Sequence, residues 1–247
     1  MKPKELRALG IVGAATVLVG FLLVGVAAQA DTTFDLSNDF SVEANPNKVW
    51  QYGYSDSNSL AVDQFRLQKS ADANDRSANA SGIIKFWHPA ANSGPGAGYY
   101  PYIAYNSSKQ PEVGCKGWAV RPGEVAVEGS NTGQYSLIRF VAPVAGTYRV
   151  SAKFEGIHYG LSTTDVHVLQ NGTALFDADI DGYGGDPAFH KLQGSSPTAE
   201  YSGEVAMKAD ETITFAIGYG KNKTHYGDTT GLFAKVVLLG DSHTLVR

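Results

Sequence analysis

The chain has 247 residues, a formal net charge of −4 and a single cysteine. Beyond the basic residues at its start the chain is mildly acidic, which argues against nucleic acid or an anionic membrane surface as partner, since both need clustered Lys and Arg. One cysteine, Cys115, excludes an intrachain disulfide, and its setting in Gly114-Cys115-Lys116 lacks the context of a nucleophile, so it reads as a small apolar filler.

Met1 to Ala30 has the layout of an export signal. Lys2, Lys4 and Arg7 precede an uncharged, mostly apolar run from Ala8 to Ala27, and Ala28-Gln29-Ala30 offers small residues at a cleavage site before Asp31. The rival is an uncleaved membrane anchor, since the run matches the roughly 20 residues that span a bilayer. Either way a hydrophobic signal or anchor helix is expected over 1–30, with the rest of the protein exported: extracellular, at the cell surface or periplasmic. Cleavage removes three basic residues and one acidic one and takes the formal charge to −6. Residues 31–247 then suit one large β domain.

Asp31 to Asn47 is polar, with an edge strand expected around Phe34 and Phe40. Val49 to Tyr54 alternates and reads as a strand with an aromatic face; Leu60 to Leu67 and Ile83 to His88 are strands. Lys69 to Ser81 and Pro89 to Gly98 are loops rich in small and turn-forming residues. Tyr99 to Tyr105 is extended, and its proline suggests an edge or a strand start. Arg121-Pro122-Gly123 is a turn between Trp118–Val120 and Glu124–Glu128. In Gly146 to Phe154, residues Tyr148, Val150, Ala152 and Phe154 alternate with Thr147, Arg149, Ser151 and Lys153, the period of a strand with one buried and one wet face. Tyr135 to Val141 is expected to pair with it across Ala142–Ala145. Thr164–Gln170 and Thr173–Ile180 flank Asn171-Gly172, the strongest short-range hairpin signal. Asp181 to Thr198 is a Gly/Asp/Pro/Ser-rich excursion. Gly203–Met207 is expected to pair with Thr212–Ile217, a polar loop fills Gly218 to Gly231, and Leu232 to Leu239 is the last strand. Helical periodicity is missing after the signal, and turns recur every ten or so residues. The fold class expected is all-β: one antiparallel jelly-roll β-sandwich. Tyr148, Val150, Phe154, Val166, Val168, Ile213, Phe215 and Ile217 are its expected core.

Five segments carry a resemblance. They are Asn45-Pro46-Asn47 with Trp50-Gln51-Tyr52-Gly53; Val120 to Glu124; Ile138 to Pro143 with Ala145 to Tyr148; Asp165 to Val168 with Asn171-Gly172; and Gly218 to Asn222 with Asp228 to Gly231. As a set this resembles the jelly-roll domains of bacterial exosortase-sorted (PEP-CTERM) secreted proteins, which are similar in build to carbohydrate-binding modules. The resemblance covers nearly all of residues 31–247. Arg121-Pro122-Gly123 stands where that family usually has His-Pro-Gly, and the last residues carry no Pro-Glu-Pro sorting signal.

Two constellations could carry chemistry. Trp87, His88, Tyr99, Tyr100 and Tyr102 crowd around a Gly/Pro loop, where flat rings could stack on the C–H faces of a sugar; the strict alternation of Trp50, Tyr52 and Tyr148 marks those instead as packing. Asp177, Asp179 and Asp181 alternate at a strand end and Asp186 follows, a set of hard oxygen ligands suited to Ca²⁺. The alternative is a solvated acidic edge that discourages edge pairing. The spacing of His158, His167, His190 and His225 does not suit zinc. Gly-x-Ser-x-Gly and His-Glu-x-x-His do not occur. The reading favoured is a non-catalytic module whose partner is an extracellular glycan. A structural matrix, envelope or filament subunit that self-associates through strand edges is the alternative, and a polysaccharide lyase or glycosidase comes third.

Overall fold

The structure, a computed structural model, describes residues 30–72, 83–89, 100–114 and 117–240. The expected signal helix, the loops over 73–82 and 90–99, Tyr99 and Cys115 lie outside the described residues. No described helix is long and apolar enough to cross a membrane.

In chain order the strands are β1 (Thr32–Asp35), β2 (Trp50–Ser55), β3 (Phe65–Leu67), β4 (Ser70–Asp72), β5 (Ile84–His88), β6 (Tyr102–Asn106), β7 (Glu112–Gly114), β8 (Trp118–Val120), β9 (Val125–Glu128), β10 (Ser136–Val141), β11 (Gly146–Gly156), β12 (Asp165–Gln170), β13 (Thr173–Asp179), β14 (Asp181–Tyr183), β15 (Gln193–Ser196), β16 (Thr198–Met207), β17 (Thr212–Ile217) and β18 (Thr230–Leu238). One helical turn, α1 (Leu36–Asp39), follows β1. It is capped by Asp35, whose Oδ1 accepts from the Ser37 and Asn38 amides at 3.1 and 3.3 Å.

Two antiparallel sheets face each other. The larger runs β16-β11-β18-β9-β6-β5-β4, with β1 on the far half of β18; the smaller runs β13-β12-β17-β10-β2-β3. Between them lies a core built from the alternate residues of both, including Trp50, Tyr52, Phe140, Tyr148, Val150, Phe154, Val166, Val168, Ile213, Phe215 and Ile217. All eight expected core residues are fully buried. The Asn171-Gly172 hairpin forms as expected, with φ of 48° and 82° and β12 paired to β13.

Two expected pairings do not form. β10 pairs with β17 and β2, while β11 pairs with β16 and β18, so Ala142–Ala145 carries the chain from one layer to the other. Likewise β16 and β17 lie in different layers and Lys208–Glu211 is a second crossing. The two crossings bond to each other: Ala142 N–H donates to the Glu211 carbonyl and Asp210 N–H to the Ala142 carbonyl, both at 2.9 Å. Leu60–Leu67 is shorter as a strand than expected, because Val62–Gln64 forms a 3₁₀ turn. β6 lies inside the sheet, and Pro101 falls just before its start, where the missing N–H costs no ladder bond.

A second, smaller core covers the outer face of the large sheet at β5, β6 and β9. There Ile84, Phe86, Tyr102, Ala104 and Ala126 pack against Trp118, Val120 and Ile157. The β7–β8 hairpin supplies the cover, with the Trp118 indole lying on Gly114, where an added Cβ would come within 2.1 Å of the ring. These three strands are buried on both faces.

Candidate functional site

That second core decides the fate of the expected aromatic platform. Tyr102 is 3% exposed; its hydroxyl donates to Glu128 Oε2 at 2.8 Å, and its ring meets Phe86 edge-on at 5.6 Å. Trp87 points into the main core, 5% exposed and stacked on Tyr52 at 6.1 Å, with its indole N–H on the Ser41 carbonyl at 2.6 Å. His88 is also buried, its Nδ1 2.9 Å from the Pro89 carbonyl. The exposed platform expected of Trp87, His88 and Tyr102 is therefore corrected: alternate residues of β5 and β6 face two cores, and neither face meets water.

Tyr100 is the exception. It is half-buried, 5.4 Å from Tyr102 and 4.4 Å from His225. His225 in turn lies 4.5 Å from Tyr226, a residue that is 79% exposed. The most exposed large apolar side chain among those described thus stands on a column of packed rings. The sequence marks this segment only as a polar loop; the signal it carries for the site is a Tyr beside a His between glycines.

The aspartates divide. Asp177 bonds His167 Nδ1 at 2.5 Å; Asp179 takes an ion pair from Lys221; Asp181 accepts from Ser195; Asp186 Oδ1 accepts from the Ala188 amide at 2.9 Å within its own turn. Each thus has a partner of its own, and among the described residues no group of three or more His, Cys, Asp or Glu is placed to hold a metal. Asp179 and Asp181 do share one cleft of about 630 Å³ with Thr163, Ser195, Lys221 and Asn222.

The segment from Gly218 to Thr229 joins cleft and ring. Gly220 has φ of +67°, and a Cβ there would lie 1.8 Å from the Thr163 carbonyl oxygen, so glycine is required. The Gly220 amide donates to Asp165 Oδ1 at 2.7 Å. Asp165 is held in turn by the Tyr135 hydroxyl at 2.8 Å and by His167 Nε2 at 2.9 Å. Burial acts against the charged Asp165, but the bonds from His167, Tyr135 and Gly220 outweigh it and hold the carboxyl below its ordinary range. Burial likewise disfavours a charged His167, and its bonds to Asp165 and Asp177 outweigh that and raise its pKa.

Farther along, Asn222 Nδ2 donates to Thr163 Oγ1, the Thr224 amide donates to Asn222 Oδ1 at 3.2 Å, and the Tyr226 amide to Thr224 Oγ1 at 3.3 Å. Thr163 is fixed by Asp228, whose Oδ1 accepts its amide at 2.8 Å and its hydroxyl at 3.0 Å. Burial pushes Asp228 up to about 6. The result is a stiffened loop that presents hydroxyls, an amide, an ammonium and carboxylates in the cleft, and a flat ring beyond it.

No family model matches the chain, and no curated protein matches it. Among solved structures, the CBM51 from Clostridium perfringens GH95 in complex with methyl-galactose is similar over 83% of this chain and 99% of its own, with 10% identity and a TM-score of 0.35. A family 35 carbohydrate binding module from Clostridium thermocellum is similar over 62% of this chain and 89% of its own, with 13% identity and a TM-score of 0.26. Rabbit GITRL is similar over 42% of this chain and 70% of its own, with 13% identity and a TM-score of 0.25. With scores this low, what the site does rests on its own residues.

Proposed function

We propose that the protein is an exported, non-catalytic glycan-binding module of jelly-roll type, and that it binds sugar at the loop end formed by Tyr226 and the neighbouring cleft. The observation that carries this reading is Tyr226, 79% exposed yet supported from behind by His225 and Tyr100. Exposing an aromatic ring forgoes the roughly 1.5–3 kcal/mol that burying a large apolar side chain contributes. A sugar ring recovers that area through its C–H face, and the cleft lined by Asn222, Lys221, Asp179 and Ser195 offers paired donors and acceptors to the hydroxyls of further sugars of the same glycan. The polar groups are held by one another, so little ordering remains to be done on binding.

A glycan array followed by calorimetry tests this. Tyr226→Ala and Asn222→Ala are each expected to weaken the best glycan at least tenfold, about 1.4 kcal/mol, with an unchanged melting temperature. Equal binding by Tyr226→Ala overturns the reading. For export, amino-terminal sequencing of secreted material is expected to start at Asp31; a start at Met1 in the membrane fraction makes the segment an anchor instead.

A further inference from the structure

The outer face of the large sheet is covered only in part. On β11 the inward residues are Val150, Ala152 and Phe154, so Ser151, Lys153 and Glu155 point outward. The register aligns Lys153 with Phe233 and Glu200, Ser151 with Lys235 and Ser202, and Glu155 with Gly231 and Thr198. The Glu155 row is closed. The turn at Arg121–Glu124 lies over it, Glu124 Oε1 sits 1.8 Å from where a Cβ on Gly231 would be, and both Glu124 and Glu155 are fully buried. The other two rows stay open as a groove of about 650 Å³, with Asp35, Ser37 and Gly123 along its border.

Three features set the chemistry of this groove. First, Phe233 presents a half-buried ring on an outward row, with the Arg121 guanidinium 5.2 Å from its centroid. Second, the cations are held in place. Arg121 is paired with Glu155, Lys153 Nζ lies 2.9 Å from Glu155 Oε2, and Lys235 lies 3.4 Å from Asp35. Third, the charges balance. Arg121, Lys153 and Lys235 stand against Glu155, Asp35 and Glu200, and the burial that pushes Glu124 up to about 7 disfavours a further negative charge. A charged ligand gains no net field here. A neutral ligand with many hydroxyls meets fixed donors and acceptors beside an apolar ring, carried on strands rather than loops.

We propose that this groove is a second glycan-contact surface, and that its ligand is a neutral, extended polyhydroxylated chain crossing β18, β11 and β16. Binding there does not depend on the loop end. Two contacts on one module would let a single polymer, or two polymers, be held at once, with the gain in avidity that follows.

The test is an amide-resonance titration of the secreted protein with cello-, xylo-, manno-, laminari- and chitohexaose at millimolar concentration, with hexagalacturonate as the anionic comparison. At least one neutral hexaose is expected to shift Ser151, Lys153, Ser202 and Phe233. Phe233→Ala, and the exposed substitution Glu200→Ala, are expected to weaken that response at least tenfold while leaving shifts at Tyr226 and Asn222 in place. The inference is overturned if no neutral hexaose shifts the groove, if both variants respond like the parent, or if hexagalacturonate binds the groove more tightly. Shifts confined to the loop end sink this groove and leave the proposed site standing; shifts confined to the groove do the reverse; shifts at neither sink both.

Discussion

Glu128 shows how much a single buried carboxyl can govern. It is 4% exposed, and its Oε2 accepts from the hydroxyls of Tyr102 at 2.8 Å and Thr229 at 2.6 Å. Burial is the main cause that pushes it up to about 8, as it pushes Glu124 up to about 7 and Asp228 to about 6. Each group keeps its proton in the folded chain at pH values where the unfolded chain, with ordinary carboxylate values near 4, has lost it. The unfolded state then binds fewer protons, so stability falls as pH rises from about 4.5 towards 8. The slope is up to about 1.4 kcal/mol per pH unit for each group in its window. Urea titrations across that range are expected to show a falling midpoint. Glu128→Gln keeps an acceptor for both hydroxyls and is expected to flatten the part of the slope above about pH 7. A variant with the parent's slope there would show that Glu128 is ionised in the fold.

Among the elements, the β12–β13 hairpin and the β10–β11 connection look alike in sequence and end differently. Asn171-Gly172 demands positive φ at both positions, so the turn alone dictates a hairpin; Asn171 Oδ1 also accepts the Thr212 amide at 2.8 Å. Gly172→Ala is expected to cost about 1–2 kcal/mol through the left-handed backbone alone, read as a lowered urea midpoint with an unchanged slope. Ala142-Pro143-Val144-Ala145 makes no such demand. Its strands choose layers through β17, β2, β16 and β18, which are distant in sequence. The edge strands bear on the self-associating alternative. β13 carries Asp177 and Asp179, and β16 carries Glu200 and Glu204; acidic residues on these two edge strands discourage strand addition there.

At the scale of the whole molecule, the main core lies between the two sheets and is built from both, so neither sheet retains it alone. Phe215 of β17 is fully buried and lies 6.4 Å from Trp50 of β2, within the cluster that also holds Tyr148 and Phe154 of the opposite sheet. Phe215→Ala is expected to cost about 3–5 kcal/mol. Tryptophan fluorescence and far-ultraviolet dichroism should shift together as one transition. A loss below about 1 kcal/mol, or two separated transitions, would refute the shared core.

Local chemistry accounts for what was legible in the chain. Two-residue alternation identified strands and inward faces, from Tyr148 to Phe154 and from Ile213 to Ile217, because side-chain direction in a strand is set by backbone geometry alone. Asn-Gly and Pro-Gly set their turns for the same reason. The aspartates at 179 and 181 and the ring of Tyr100 pointed towards the loop end, but their neighbours Lys221, Asn222 and Tyr226 come from a segment some forty or more residues from the aspartates and over a hundred from Tyr100. Tertiary structure alone decided which aromatics met water. Tyr102 and Tyr226 are the same residue type near similar loops, and only the β7–β8 hairpin, folded over one of them, makes the first a core residue and leaves the second exposed. Burial is a property of what the rest of the chain places on a residue, and a strand's own sequence does not contain it.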